Sequence, residues 1–136
     1  DLDTVWEIGT KIREIALEDS LPVAVDVRLG TQTAFHVALP GAGTTNDWWA
    51  RRKGKVVEQY NQSSLYVGVD YELNDGEGGF DQQSKLPADE YAAHGGAFPI
   101  LLTSGITLGY VAVSGLPAAH DHALVVTALS SVLSQQ

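Results

Sequence analysis

The order of its predicted elements constrains the fold of this chain more than any other feature. Residues 3–19 place apolar side chains three and four positions apart, as in an amphipathic helix. Residues 23–29 and 34–39 are β-type runs joined by a glycine-containing turn, which predicts a hairpin followed by a helix from about residue 44 to residue 63. A second hairpin, turning at 103–105, leads to a last helix over 118–133.

Residues 65–73 also alternate between apolar and polar side chains and predict a further strand. Residues 74–93 are polar, acidic and rich in glycine, and predict a long exposed loop with at most one helical turn. The resulting order is α-β-β-α-β-β-β-α. Because hairpins join the strands and no helical crossovers separate them, the order predicts an α+β sandwich in which helices cover an antiparallel sheet.

The length of 136 residues suits one domain, and residues 1–136 contain no internal repeat, long linker or low-complexity block. Hydrophobic residues make up 44% of the chain, which is enough to build a core. No apolar run approaches the roughly 18 residues that a membrane span requires, and we expect no membrane association. The start of the chain has no signal-peptide pattern, so the sequence predicts a cytoplasmic protein.

Charge and composition exclude several classes of function. Eight basic residues stand against seventeen acidic ones, a formal charge of −9, which argues against a general nucleic-acid-binding protein. The chain has no cysteine, so disulfides, thiolate catalysis, iron–sulfur clusters and cysteine-rich zinc sites are excluded. No Walker loop and no GxSxG nucleophile motif occurs.

Half of the basic residues lie within residues 51–55 (RRKGK), on the second predicted helix. Such a cluster suits a ligand that carries a carboxylate or phosphate group, and arginine is well shaped for bidentate carboxylate binding. The alternative is a solvated helix face whose charges pair with Glu58 or with the acidic loop. Trp48 and Trp49, just before the cluster, are interpreted either as a stacking platform or as one core residue and one oligomer contact.

Four histidines are further candidates, either as metal or haem ligands and acid–base groups or as ordinary donors to backbone carbonyls. His94 is the strongest, since Gly95 and Gly96 follow it and allow a ligand to approach the backbone closely. The glycine pair can form an amide concavity for an anion, or a turn that requires positive φ. The acidic residues of 70–81 lack EF-hand spacing and favour a solvated loop over a calcium site.

Several of these segments together resemble a known family. The segments are residues 48–53 (WWARRK), 91–100 (YAAHGGAFPI) and 111–117 (VAVSGLP), followed by Asp121 and His122. In order and spacing they resemble the UPF0303 proteins of the haem-degrading-domain superfamily (DUF336), which includes GlcG-like and HbpS-like proteins. The Gly-Gly-x-Pro motif of the superfamily is one residue longer here, ending at Pro99, as in the UPF0303 branch.

The resemblance covers nearly the whole chain. It implies an α-β-α, profilin-like sandwich that assembles into a homo-oligomer. Of the candidate site residues, Lys53, Gly95, Gly96 and Asp121 match the pattern of the superfamily. Together with Trp49, Arg52 and His94 they make up the predicted ligand site.

Three functional hypotheses follow from the residues and the resemblance, and whether the protein is an enzyme stays open. In the first, the protein binds haem or a related anionic small molecule: the 51–53 cations pair with the propionates and His94 or His36 ligates the iron, since the chain has neither cysteine nor methionine. In the second, a small carboxylate lies between Arg52, Lys53 and the glycine amides, in a binding or sensing module. In the third, the protein is a non-catalytic oligomeric accessory protein that uses its tryptophans and last helix as interfaces.

Overall fold

A computed structural model describes residues 1–135 of the chain, which form five helices and four strands. In chain order, the elements are α1 Leu2–Glu18, β1 Ala24–Leu29, β2 Gln32–Ala38, α2 Thr44–Tyr60, α3 Ser64–Asn74, α4 Gly79–Gln83, β3 Ala97–Leu101, β4 Thr107–Ser114 and α5 Ala118–Leu133. The strands form one antiparallel sheet in the order β2-β1-β4-β3. The predicted fold class, an α+β sandwich with an antiparallel central sheet, is confirmed.

The two faces of the sheet differ in chemistry because successive side chains of a strand point to opposite sides. One face, here called the valine face, presents four fully buried valines that pair across the central strands: Val25 with Val113 and Val27 with Val111. Helices α1 and α5 pack on this face and on each other, and their apolar stripes complete the main core. The predicted amphipathic helices at both ends of the chain therefore cover the same side of the sheet.

The opposite face, here called the polar face, carries small and polar side chains under α2. Asp26 and Ala112 are opposite each other in the two central strands, and Tyr110 is one pair further along. Only a small cluster of alanines, Val57 and Tyr110 forms the apolar contact with α2. The helix lies so close to the sheet that a side chain at Gly54 would collide with the ring of Tyr110.

One predicted strand, over residues 65–73, is wrong: these residues form α3. Ser63 begins the helix, since its hydroxyl accepts a hydrogen bond from Tyr66 N at 3.2 Å. Val67 and Tyr71 lie four positions apart and pack with Phe80 in a third apolar cluster, which is the spacing of a helix face. The predicted loop that follows contains one five-residue helix, α4, in agreement with the single helical turn expected there.

Candidate functional site

A pocket of about 330 Å³ opens at the end of the sheet where β4 passes into α5. Six of its lining residues carry functional groups or a wide ring: Asn46, Trp49, Lys53, His94, Ser114 and Asp121. We call it the Lys53 pocket. It brings together residues from α2, from the segment before β3, from the end of β4 and from the first turn of α5.

A buried ion pair forms the floor of this pocket. The Lys53 ammonium donates to Asp121 Oδ2 at 2.9 Å and to the backbone oxygen of Val113 at 3.0 Å. Lys53 is 3% exposed and Asp121 is 1% exposed. The other oxygen of Asp121 accepts a hydrogen bond from Leu116 N at 3.1 Å. An ammonium has three hydrogens, and the third has no partner among residues 1–135, so it can bind an oxygen atom of a ligand.

The electrostatics of the pair follow from its burial. Removal from water lowers the pKa of Lys53 and raises the pKa of Asp121, and the attraction between the two groups opposes both shifts. The pair carries no net charge when both groups are ionised. The Lys53 pocket therefore offers a directed donor and no excess of positive charge.

Gly95 and Gly96 lie against this ion pair and the start of α5. Gly96 has a φ of +134°, and a side-chain carbon there would lie 2.8 Å from Lys53 Nζ and 3.0 Å from Asp121 Cβ. A side-chain carbon at Gly95 would lie 2.5 Å from the backbone oxygen of Ala118. Both glycines are buried, and the absence of side chains lets the chain before β3 close over the pair.

Trp49 forms the wall beside His94 and stacks with Arg52, which itself lines neither pocket. The Arg52 guanidinium carbon is 4.2 Å from the ring centroid of Trp48 and 4.3 Å from that of Trp49, so the cation stacks with both indoles. The guanidinium also donates to the backbone oxygen of Ala88. The Trp49 ring meets the His94 ring edge to face, with 5.5 Å between centroids. His94 is exposed, and its imidazole makes no hydrogen bond to any residue in the described range 1–135.

A second pocket of about 540 Å³ lies on the other side of His94. Its lining includes Phe80 and the carboxylates of Glu72 and Asp81, contributed by α3 and α4. We call it the Phe80 pocket. His94 lines both pockets, and both volumes fall within the roughly 300–1,000 Å³ that is usual for small-molecule sites.

His36, the other predicted iron ligand, lies elsewhere. It is on β2 and its Nε2 is 2.6 Å from Asp47 Oδ1. Asp47 and Trp49 are two positions apart on α2 and point in directions roughly 200° apart on a helix. His36 and His94 therefore contact different sides of α2, and His36 lines neither pocket. The two histidines are not placed to share one ligand.

All four cations of the basic cluster have internal partners. Besides Arg52 and Lys53, Arg51 contacts Glu58 at 2.7 Å and Lys55 contacts Glu90 at 3.3 Å. For Arg51 and Lys55 this corresponds to the alternative of a solvated helix face paired with Glu58 or the acidic loop, whereas Arg52 and Lys53 are buried. Sequence reasoning did not assign Asn46 or Ser114 to the site, although Ser114 lies in the 111–117 segment that carries the resemblance. It also missed the partnership of Lys53 with Asp121, since 68 residues separate them.

Haem, the group that the superfamily implies, needs an iron ligand and donors for its propionates, and the site offers one residue for each. The His94 imidazole is free to ligate iron, and the third Lys53 hydrogen is free to bind one propionate oxygen. Arg51, Arg52 and Lys55 are committed to other contacts. Within residues 1–135, no three His, Asp or Glu side chains are arranged to hold a metal ion by themselves.

No described helix is both long enough and apolar enough to cross a membrane.

Fold and site together define a profilin-like α+β sandwich with a pocket over a buried Lys–Asp pair. More particularly, residues 1–130 match the HbpS-like family, described as "Haem degrading protein HbpS-like", and the chain belongs to that family. A UPF0303 protein of Streptomyces avermitilis is 46% identical over 133 residues, covering 98% of this chain and 80% of that protein. One of Paraburkholderia phymatum is 42% identical, with 98% and 79% covered. The predicted resemblance is confirmed.

Solved structures agree on the fold. The Ybr137w protein superposes with a TM-score of 0.89 at 28% identity, covering all of this chain and 80% of that one. A structure described as a PduOC:haem complex superposes with a TM-score of 0.79 at 16% identity, covering 96% and 93% of the two chains. HbpS itself has a TM-score of 0.75 at 17% identity, covering 96% and 88%. At such low identities, the last two comparisons establish the shared fold alone.

Proposed function

We propose that the protein binds haem, or a related planar anionic small molecule, at the two pockets that meet at His94. The observation that carries this proposal is the His94 imidazole, which is exposed, makes no hydrogen bond within residues 1–135, and lines both pockets. Imidazole is a strong iron ligand, and this chain has no thiolate or thioether to compete with it. Family membership and the haem named in the description of the PduOC structure support the choice of ligand class.

Lys53 and Trp49 complete the proposed site. The remaining Lys53 hydrogen donates to a carboxylate oxygen of the ligand, and the half-buried Trp49 offers an apolar ring to its planar body. When bound, haem supplies an iron centre; the residues described here bind and orient it. The proposal concerns binding, and the haem-degrading activity in the family description is not assigned to this chain.

Titration of the purified protein with hemin tests the proposal. We expect a Soret shift in the wild-type protein and a dissociation constant at least about tenfold higher in His94→Ala, the equivalent of about 1.4 kcal/mol. His36→Ala is the matched control, because His36 is equally a surface histidine but lines neither pocket. A wild-type spectrum that does not shift, or equal losses in the two variants, would contradict the proposal.

A second candidate is a small-carboxylate-binding or sensing module confined to the Lys53 pocket. Two observations favour it: this pocket is the smaller one, and Glu72 and Asp81 give the Phe80 pocket a negative lining that repels haem propionates. Thermal stabilisation by small carboxylates without any hemin shift supports this candidate. Loss of that stabilisation in Lys53→Met, with unchanged stabilisation in Lys85→Met, locates the ligand at the pocket.

The third hypothesis, an oligomeric accessory protein without chemistry, concerns other surfaces. Trp48 is 49% exposed, and Val126 and Leu133 on α5 are 40% and 61% exposed. Exposed apolar groups of this kind are used at interfaces between protein chains. The homo-oligomer remains a proposal, and the mass of the protein in solution, compared between wild type and Trp48→Ser, tests it.

A further inference from the structure

The segment that carries His94 has little regular structure of its own. Residues 75–94, here called the acidic segment, contain only the five-residue α4 as a regular element. The segment holds five acidic residues and one lysine, whereas residues 51–55 of α2 hold four basic ones. The position of His94 therefore depends on the contacts between the acidic segment and α2.

Lys55 and Arg52 make most of the polar attachments. Lys55 contacts Glu90 at 3.3 Å, and its ammonium is 4.6 Å from the ring centroid of Tyr91. The Arg52 side chain donates to the backbone oxygen of Ala88, and the backbone oxygen of Arg52 accepts from Ala92 N at 3.2 Å. Arg52 thus holds the segment at two points, four residues apart, just before His94.

The same guanidinium orients the other wall of the site. It stacks with Trp48 and Trp49, and Trp49 in turn contacts His94 edge to face. A planar guanidinium can stack and donate hydrogen bonds in its plane at the same time, which an ammonium cannot. Arg52 is 9% exposed, so this role does not depend on direct contact with a ligand.

We propose that Arg52 is a positioning residue: it fastens Trp49 and the acidic segment together and so fixes His94 between the two pockets. The inference rests on the proposed function, in which His94 contacts the ligand. It gives the most buried arginine of the basic cluster a role other than anion binding. The apolar anchors of the segment, Phe80, Leu86 and Tyr91, pack in a cluster that includes Val56 of α2 but not Arg52. We expect these contacts to hold the segment near α2 when Arg52 is changed.

The test compares Arg52→Ala and Arg52→Lys with Arg13→Ala, an exposed arginine on α1, in the full chain. The first readout is the pair of imidazole proton resonances of His94, which the nearby Trp49 ring shifts; the second is hydrogen exchange of the 84–94 backbone. We expect Arg52→Ala to move the His94 resonances and to raise exchange in 84–94, with exchange in β1 and β4 unchanged. Arg52→Lys keeps the charge and, if Arg52→Ala does not fold, is expected to show the same changes to a smaller extent.

Hemin affinity is the third readout and separates the two proposals. We expect the dissociation constant for hemin to rise about tenfold in Arg52→Ala and to stay at the wild-type value in Arg13→Ala. If wild-type protein binds neither hemin nor small carboxylates, the proposed function fails, while the resonances and exchange still decide the role of Arg52. If Arg52→Ala lowers the melting temperature but leaves the His94 resonances and 84–94 exchange as in wild type, Arg52 stabilises the fold without positioning His94, and the inference is overturned.

Discussion

The valine face and the polar face of the sheet belong to the same four strands, but the contacts that hold the helices on the two faces differ in kind. On the valine face, Val25, Val27, Val111 and Val113 are all fully buried against α1 and α5. Burial of this kind is non-directional and depends on area and fit. On the polar face, Tyr110 donates to Asp26 at 2.5 Å and Lys53 donates to Asp121 at 2.9 Å. These contacts depend on specific partners.

The difference separates stability from binding. The valine face supplies most of the apolar core, so the polar face can hold groups that contribute little net stability but have defined positions. Asp121 connects the two layers, because it lies on α5, which covers the valine face, and contacts Lys53 on α2, which covers the polar face. The Lys53 pocket lies at this connection.

The largest expected effect comes from breaking the buried pair. Asp121→Ala leaves the Lys53 ammonium buried without its counter-ion, and we expect it to lower the free energy of unfolding by about 3–5 kcal/mol. Urea unfolding measures the loss. Replacement of both partners, in Lys53→Met with Asp121→Leu, is expected to restore most of the stability while ligand binding stays lost. An unfolding midpoint in Asp121→Ala equal to that of wild type would contradict the assignment.

A matched change on the other face sharpens the comparison. Val27→Ala removes two buried methyl groups and is expected to cost about 2 kcal/mol. Because Val27 packs in the core on the valine face and lines neither pocket, we expect ligand affinity in this variant to stay at the wild-type value. If Val27→Ala weakened binding as much as Asp121→Ala does, the separation between the two faces would fail.

At the backbone that covers the pair, we expect an effect between those of Asp121→Ala and Val27→Ala. Gly96→Ala places a carbon 2.5 Å from the backbone oxygen of Val113 and 2.8 Å from Lys53 Nζ, at a φ of +134°. We expect a loss of about 2–4 kcal/mol in stability from strain and crowding, together with loss of ligand binding. Gly30→Ala is the control, since Gly30 also has a positive φ, +60°, but no atom lies within 4 Å of the added carbon.

Gly30→Ala should cost about 1 kcal/mol and leave binding intact. Chemical denaturation and ligand titration on the two variants give the comparison directly. Equal effects of the two substitutions on binding would show that positive φ alone, and not the contact with Lys53, explains the requirement for glycine at position 96.

The sequence predicted the parts of the fold that local patterns determine. Helix α1 and the two hairpins follow from spacing, alternation and glycine turns, and all are present. The strand predicted over 65–73 is wrong because a short alternating run does not distinguish a strand from a helix with one buried stripe. The contacts of Val67 and Tyr71 with Phe80 decide the matter, and Phe80 lies in a different segment of the chain.

The site was predictable only as a set of residues. Trp49, Lys53, His94 and Asp121 come together in the lining of the Lys53 pocket, as motif and resemblance suggested for a ligand site. The sequence could not show that Lys53 is paired with Asp121, or that Arg52 is stacked between indoles and bonded to Ala88. Those contacts depend on tertiary structure, and they leave Lys53 as the member of the basic cluster that lines a pocket, while Arg51, Arg52 and Lys55 make internal contacts.

The smallest expected effect concerns a polar group that packs toward the valine face. The His122 ring lies 4.7 Å from the ring of Phe98, which is paired with Val111, and its Nδ1 is buried without a partner among residues 1–135. Burial lowers the pKa of His122 below its ordinary value of 6.5. The unfolded chain therefore binds this proton at a higher pH than the folded protein does, and stability falls as the pH drops below about 6.5.

We expect wild-type protein to lose more stability than His122→Phe does between pH values of about 7.5 and about 5.5, by less than about 1 kcal/mol. Urea midpoints at the two pH values measure the difference. Phenylalanine keeps a ring against Phe98 and removes the titrating group, so the packing of the valine face is retained while the pH term is lost. If the pH dependence of His122→Phe equals that of wild type, other groups account for it, and the valine face tolerates a protonated imidazole at its edge.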